Sequence, residues 1–318
     1  MLPFVYDVTK YDPADRDECG SYHGSENTLS DHGEVEAAYL TAARYFAEDT
    51  GVTRLEIRDP QVAGPINFGL EAPIEGHGLH GLFPPDLTGY HDGAWVPLDT
   101  GLELVRVMLR DNGAWCRLEV EGRFFIHIGY DQYMYIGSDR PCTRAVQRTR
   151  ALGLFPRPRE SSPYDPCFDE PVVKRPADNA FWAEVADLAT RHGSVILQET
   201  YIGDVSRWHR LVPDNIEAVR TALTPRSLLR VWPELSTDLS AVLEEFPEGE
   251  TATLVREDHE GRIVDLWVDD EDRAQLSARL TGARAATALP MDFSEDKPPL
   301  LEGALPDPDG VVRARWPI

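Results

Sequence analysis

Between Ala114 and Ser138 three short segments, AWCRLEV, RFFIHIG and YMYIGS, follow one another with only turn signals between them. Each is rich in aromatic and β-branched residues, which suit a pleated, half-buried surface. Asn112-Gly113 precedes the first, Glu121-Gly122 separates it from the second, and the Tyr130-Asp131-Gln132 region separates the second from the third. Gaps this short join antiparallel neighbours, because a parallel return needs a crossover of about a dozen residues or more. An antiparallel sheet is therefore required of this part of the chain.

Side chains alternate across a strand, so the same segments predict two faces. Cys116, Leu118 and Val120 share one, which reads as core. Trp115, Arg117 and Glu119 share the other, and Phe125 with His127 and Tyr133 with Tyr135 extend it if the registers agree. Aromatics supply contact area and arginine supplies directed hydrogen bonds, so these seven residues are the candidate partner-binding surface. The structural alternative is a half-buried sheet face covered by the long loop that precedes the second helix.

Around this sheet the N-terminal part reads as a strand over Phe4–Val8, a helix over Glu34–Glu48, a returning strand over Thr53–Arg58 and a helix over Leu98–Arg110. Val35, Tyr39, Ala42 and Phe46 fall on one stripe of the first helix, and Leu98, Leu102, Val105 and Leu109 on one stripe of the second. A helix from about Cys142 to Leu152 closes the unit. Pro158, Pro163, Pro166, Pro171 and Pro176 then deny the backbone both helix and ladder hydrogen bonds, which predicts a linker over 157–179 between a domain at 1–156 and another at 180–291.

The C-terminal part opens with a helix over Asn179–His192, the strand VILQETY and a short helix over Asp214–Leu223. Six elements then follow over 227–289 in the order β-α-β-β-α-β, which predicts a ferredoxin-like sheet. The overall expectation is an α+β protein of tandem small domains with antiparallel sheets. Residues 292–318 read as an acidic, proline-rich tail with one late strand-like stretch over Val311–Trp316.

Charge narrows the functional classes. With 55 acidic against 31 basic residues the net charge is −24, which repels a phosphate backbone and attracts a cationic partner. Acidity spread across a whole proteome, serving solubility, is the competing explanation. No apolar run approaches the ~20 residues of a membrane helix and the N-terminus turns acidic early, so a cytoplasmic protein without a membrane segment is expected. Cys19, Cys116, Cys142 and Cys167 form no C-x-x-C pair and read as reduced thiols.

Metal and cofactor motifs are not matched. Asp7, Asp12, Asp15, Asp17 and Glu18 crowd one loop without the spacing of an EF-hand, which favours a solvated acidic loop. His77 and His80, with His91 and Asp92, sit in glycine-rich loops that lack the pre-organisation of a helical H-E-x-x-H site, so neither a metal nor a cofactor is expected. Nucleophile elbows, phosphate-binding loops and dinucleotide fingerprints are also missing from the sequence.

The segments VYDVTKYDPADRDE, DNGAWCRLE and IHIGYDQYMYIGSDRPC together resemble a family of uncharacterised proteins of high-GC actinobacteria, over roughly residues 4 to 155. The resemblance implies no activity and assigns no functional residue. The expected function is that of a non-enzymatic acidic binding protein for a basic protein partner, as an immunity protein neutralises a cationic toxin. One alternative is RNA binding through the ferredoxin-like sheet, with Trp232 and Trp267 as stacking groups. Another is an enzyme with an inter-domain cleft, for which His127 or His77 beside a carboxylate is the signature.

Overall fold

The structure is a computed structural model, and it describes residues 2–24, 33–62, 78–165, 175–203, 205–244, 246, 252–268, 275–290, 298–314 and 316. The chain divides into two compact units, Met1–Glu170 with Ile202–Asp204, and Pro171–Tyr201 with Val205–Ile318. The fold is mixed α+β with antiparallel sheets.

In the first unit β1 (Phe4–Thr9), α1 (Glu34–Thr50), β2 (Arg54–Val62), β3 (Trp95–Pro97), α2 (Leu98–Leu109), β4 (Ala114–Val120), β5 (Phe124–Ile128), β6 (Met134–Ser138), α3 (Thr143–Ala151) and β7 (Phe155–Arg159) build a seven-stranded sheet. Its strand order is β3-β2-β4-β5-β6-β1-β7. The α1 stripe buries Tyr39, Ala42 and Phe46 fully, while Val35 stays half-buried. Burying a ring such as Phe46 contributes roughly 2–3 kcal/mol. Gly51 ends α1 in the left-handed conformation, at φ 67°, which glycine adopts without steric cost. At α2 a glycine serves contact instead: a Cβ on Gly101 would stand 2.6 Å from Leu55 Cδ1, so α2 lies close on the sheet.

Helices α1 and α2 cover the sheet face that carries Leu55, Ile57, Cys116, Leu118, Ile126 and Ile136, where the Tyr6 ring meets Phe46. Residues of the opposite parity form the second face. The registers bring Arg58 opposite Arg117, Glu119 opposite Phe125, His127 opposite Tyr135, Tyr135 opposite Asp7, and Asp7 opposite Arg157.

Where a linker is expected from Arg157, the structure instead has β7. Its two prolines, Pro156 and Pro158, sit on an outermost strand, where a missing N–H breaks no ladder bond if it points away from β1. Residues 166–174 of the expected linker, Pro166 and Pro171 among them, lie outside the described residues.

The second unit comprises α4 (Asn179–His192), β8 (Val195–Ile202), β9 (Val205–Leu211), α5 (Ile216–Ala222), β10 (Leu228–Trp232), α6 (Leu239–Glu244), β11 (Ala252–Glu257), β12 (Ile263–Val268), α7 (Leu276–Arg279), β13 (Ala285–Pro290) and β14 (Leu301–Ala304). Asp178 caps α4 by accepting from Ala180 N and Phe181 N. The β-α-β-β-α-β order over 227–289 is present, but its strands belong to two sheets. Strand β10 pairs with β8 and β14 in the order β14-β10-β8-β9, while β11, β12 and β13 form a separate sheet in the order β12-β11-β13. A ferredoxin-like sheet therefore does not form among the described residues. The physical reason lies in β10, whose Leu229 and Val231 join the core beneath α4 while its Trp232 packs with Val255, Ala285 and Leu289 of the other sheet.

The tail also differs from expectation. Leu301–Ala304 forms β14, and the stretch over 311–314 is not a strand; Val312 and Trp316 pack on Leu228 and Ala304 instead. Among the described residues no helix is long and apolar enough to cross a membrane.

Candidate functional site

The seven residues expected on one face of the central strands, Trp115, Arg117, Glu119, Phe125, His127, Tyr133 and Tyr135, are brought to that face by the registers. Their exposure divides them. Arg117, Phe125 and His127 are buried, so they are not a contact surface, whereas Trp115, Glu119, Tyr133 and Tyr135 are half-buried. Among the described residues the turn after β7 covers this face; residues 63–77 of the loop before α2 lie outside the described residues.

Ser162 and Tyr164 of that turn hold it down. His127 Nδ1 lies 2.9 Å from Ser162 Oγ, and Arg117 donates to Tyr164 O at 3.4 Å. Glu119 Oε1 stands 3.4 Å from an Arg117 nitrogen, within ion-pair range, and 3.5 Å from His127 Nε2, both too long for good hydrogen bonds. Burial pushes the His127 imidazole below its ordinary range, with Glu119 pulling the other way, so the ring is neutral at pH 7. Burial works against the Glu119 carboxylate, but His127 and Arg117 outweigh it and hold the group below the usual carboxylate range.

Ser162, His127 and Glu119 have the membership of a nucleophile–base–orienter array. Ser162 is only 4% exposed, however, and its oxygen also accepts from Tyr164 N at 3.1 Å. In this arrangement the serine pins a turn. Phe125 stacks on His127 at 4.1 Å, and its ring lies over Gly137, where a Cβ would meet it at 2.1 Å. Asp7 is buried beside them and takes both its oxygens to Arg157, at 2.8 and 3.0 Å.

Over this support runs a continuous line of rings. Tyr22 meets Tyr11 at 4.8 Å, Tyr11 meets Tyr133 at 6.0 Å, and Tyr133 meets Tyr135 at 6.5 Å. Tyr135 meets Tyr164 at 5.9 Å and Tyr164 meets Trp115 at 5.6 Å. All six are half-buried, so each residue keeps some area toward solvent. The turn between β5 and β6 adds Tyr130, which is 82% exposed. Asp131 and Gln132 both adopt positive φ there, at 56° and 58°, in the left-handed region that a tight turn requires. Asp131 also accepts from Tyr11 Oη at 2.7 Å.

Compared with family models, characterised proteins and solved structures, the chain matches none, the segments at 4–155 included.

Carboxylates border the line of rings at its Tyr11–Tyr22 end. Asp15, Asp17 and Glu18 are exposed on the loop that carries both tyrosines. Asp12 caps Ala14 N at 2.9 Å, and Asp17 accepts from Cys19 N and Ser21 N and meets His23 Nε2 at 2.8 Å. These are turn-forming roles, and among the described residues no group of three or more His, Cys, Asp or Glu side chains is placed to hold a metal. His80 is exposed, while Asp92 is buried and takes Arg58 Nε at 2.9 Å; His77 lies outside the described residues.

The two tryptophans proposed for RNA stacking do not form a platform. Trp232 is 3% exposed, donates to Gln198 and packs with Ile196 and Val255, whereas Trp267 is 64% exposed on β12, in the other sheet. Sequence reasoning missed Tyr11, Tyr22 and Tyr164. They come from an N-terminal loop and a turn after prolines, where no local period marks a face.

Proposed function

We propose that the protein is a non-enzymatic acidic binding protein whose partner is a basic protein, held on the aromatic line from Tyr22 to Trp115. The observation that carries this is the line itself: six linked, half-exposed rings bordered by Asp131, Asp15, Asp17 and Glu18. Tyrosine and tryptophan supply large contact area at small entropic cost, and their faces attract cations. The net charge of −24 steers a cationic partner toward the molecule and makes association salt-sensitive. Neutralisation of a cationic toxin by an immunity protein is one activity with these requirements.

A fluorescein-labelled octapeptide of alternating arginine and serine tests the surface by anisotropy. Binding is expected at about 50 mM salt, weakened at about 300 mM, and reduced by Tyr133→Ala or Tyr164→Ala at either salt. Equal binding by these variants and the parent protein sinks the assignment of the surface, since nonspecific attraction to net charge is unaffected by removing a ring.

A further inference from the structure

The Tyr22 end of the aromatic line already holds a cation, the chain's own Arg16. Its guanidinium lies 5.8 Å from the Tyr11 ring centre and 5.7 Å from that of Tyr22. One nitrogen donates to Gly20 O at 2.6 Å and another to Tyr133 Oη. Asp12, Asp15, Asp17 and Glu18 all lie within four residues of it, yet Arg16 forms no ion pair with any described residue. A guanidinium that is surrounded in sequence by carboxylates and settles among rings reports what those rings select. Lys10 Nζ lies over the Tyr11 ring alone, 5.1 Å from its centre, whereas the guanidinium meets two rings and a phenolic acceptor together, a set that a planar cation with several directed N–H groups matches better than an ammonium.

We infer that Tyr11, Tyr22 and Tyr133 form a subsite for an arginine side chain, and that Arg16 is a resident occupant which an arginine of the basic partner replaces. The inference rests on the function proposed above and adds to it a preference for arginine over lysine and a self-occupied resting state. Exchange requires little rearrangement. Arg16 sits on an exposed loop, is itself half-buried, and leaves the subsite by rotation of its own side chain.

The probes are two labelled octapeptides, arginine alternating with serine and lysine alternating with serine, titrated with the full chain and with Arg16→Lys, Arg16→Gln and Tyr22→Ala. Arg16→Lys keeps the charge but installs a weaker occupant. It is expected to raise affinity for the arginine peptide about fivefold and to leave the lysine peptide within about twofold. Arg16→Gln also removes a positive charge and raises both affinities, the arginine peptide's more. Tyr22→Ala removes the preference between the two peptides. Circular dichroism identical to that of the parent protein shows that each variant is folded. An unchanged arginine-peptide affinity in Arg16→Lys, or an equal rise for both peptides, overturns the subsite while leaving the basic-partner reading standing. Failure of the parent protein and of every variant to bind either peptide overturns both.

Discussion

Gly137→Ala tests whether the supporting layer beneath the aromatic line is packed as described. Gly137 lies on β6 opposite Phe125 and is not in the left-handed region, so its backbone accepts alanine. Strand propensity alone then predicts a gain of about 0.5–1 kcal/mol. Sterics oppose it. The new Cβ would meet the Phe125 ring at 2.1, 2.5 and 2.6 Å, so the ring must retreat by more than about 1 Å. It has nowhere free to go, being buried and stacked on His127 at 4.1 Å. Overpacking of this kind costs about 1–3 kcal/mol, which outweighs the propensity gain. Hydrogen exchange of β5 and β6 amides in the full chain, followed by mass spectrometry through a urea series, reads the first unit separately from the second. The partner variant Phe125→Leu loses contact area when made alone, but in the double variant it makes room for the alanine. The expected double-mutant cycle shows a favourable coupling of about 1 kcal/mol or more. A neutral or stabilising Gly137→Ala, or a cycle that is additive, refutes the packing.

Two other perturbations address the charged groups. Arg210 binds Glu234 and Glu257 with four contacts of 2.9 Å, and its hydrogen bonds hold Glu257 below the usual carboxylate range; they do the same for Glu234 against the opposing effect of burial. Acids with lowered folded pKa stabilise above their unfolded value, near pH 4.3, and lose that contribution as pH falls through the folded value. Arg210→Met is therefore expected to cost about 2 kcal/mol at pH 7, and the gap in urea midpoint from the parent protein should shrink between about pH 4.5 and pH 3; a gap constant with pH contradicts the assignment. Asp59 sits in the bulge of β2 at φ 51°; the residue is exposed, and partial desolvation of its carboxyl raises it above the ordinary range. Asp59→Asn keeps a residue tolerant of that conformation and removes the charge, so, with solvent screening at this exposed position, the thermal midpoint at pH 7 should stay at or slightly above the parent's, with a midpoint clearly below the parent's as the contrary result.

Much of the fold is legible locally because periodicity reports burial. Strands β4 to β6 and helices α1 and α2 alternate or repeat clearly, and each forms within a few residues of its predicted bounds. Strand β9 shows why others are not legible. In VSRWHRL polar and large residues fall on both parities, because Trp208 donates to Asp265 on one side while His209 meets Glu199 on the other. Strand β7 hides behind prolines that an outermost position tolerates, and β14 behind a glycine at its third position. Local pattern is also silent on which sheet β10 joins, since that depends on residues 196–200 and 301–304 meeting it from far along the chain. The site divides in the same way. Parity placed Trp115 to Tyr135 on one face, whereas its cover by Ser162 and Tyr164, and its extension by Tyr11 and Tyr22, depend on tertiary contacts.

The most direct test of the binding account uses paired baits in cells where the gene is native. One bait is the parent protein and the other carries Tyr11→Ala, Tyr133→Ala and Tyr164→Ala, with folding of both checked by circular dichroism. The account predicts that the parent bait recovers a basic protein at moderate salt and that the triple variant does not. Recovery of the same basic protein by both baits, or of none by the parent at low salt, contradicts it.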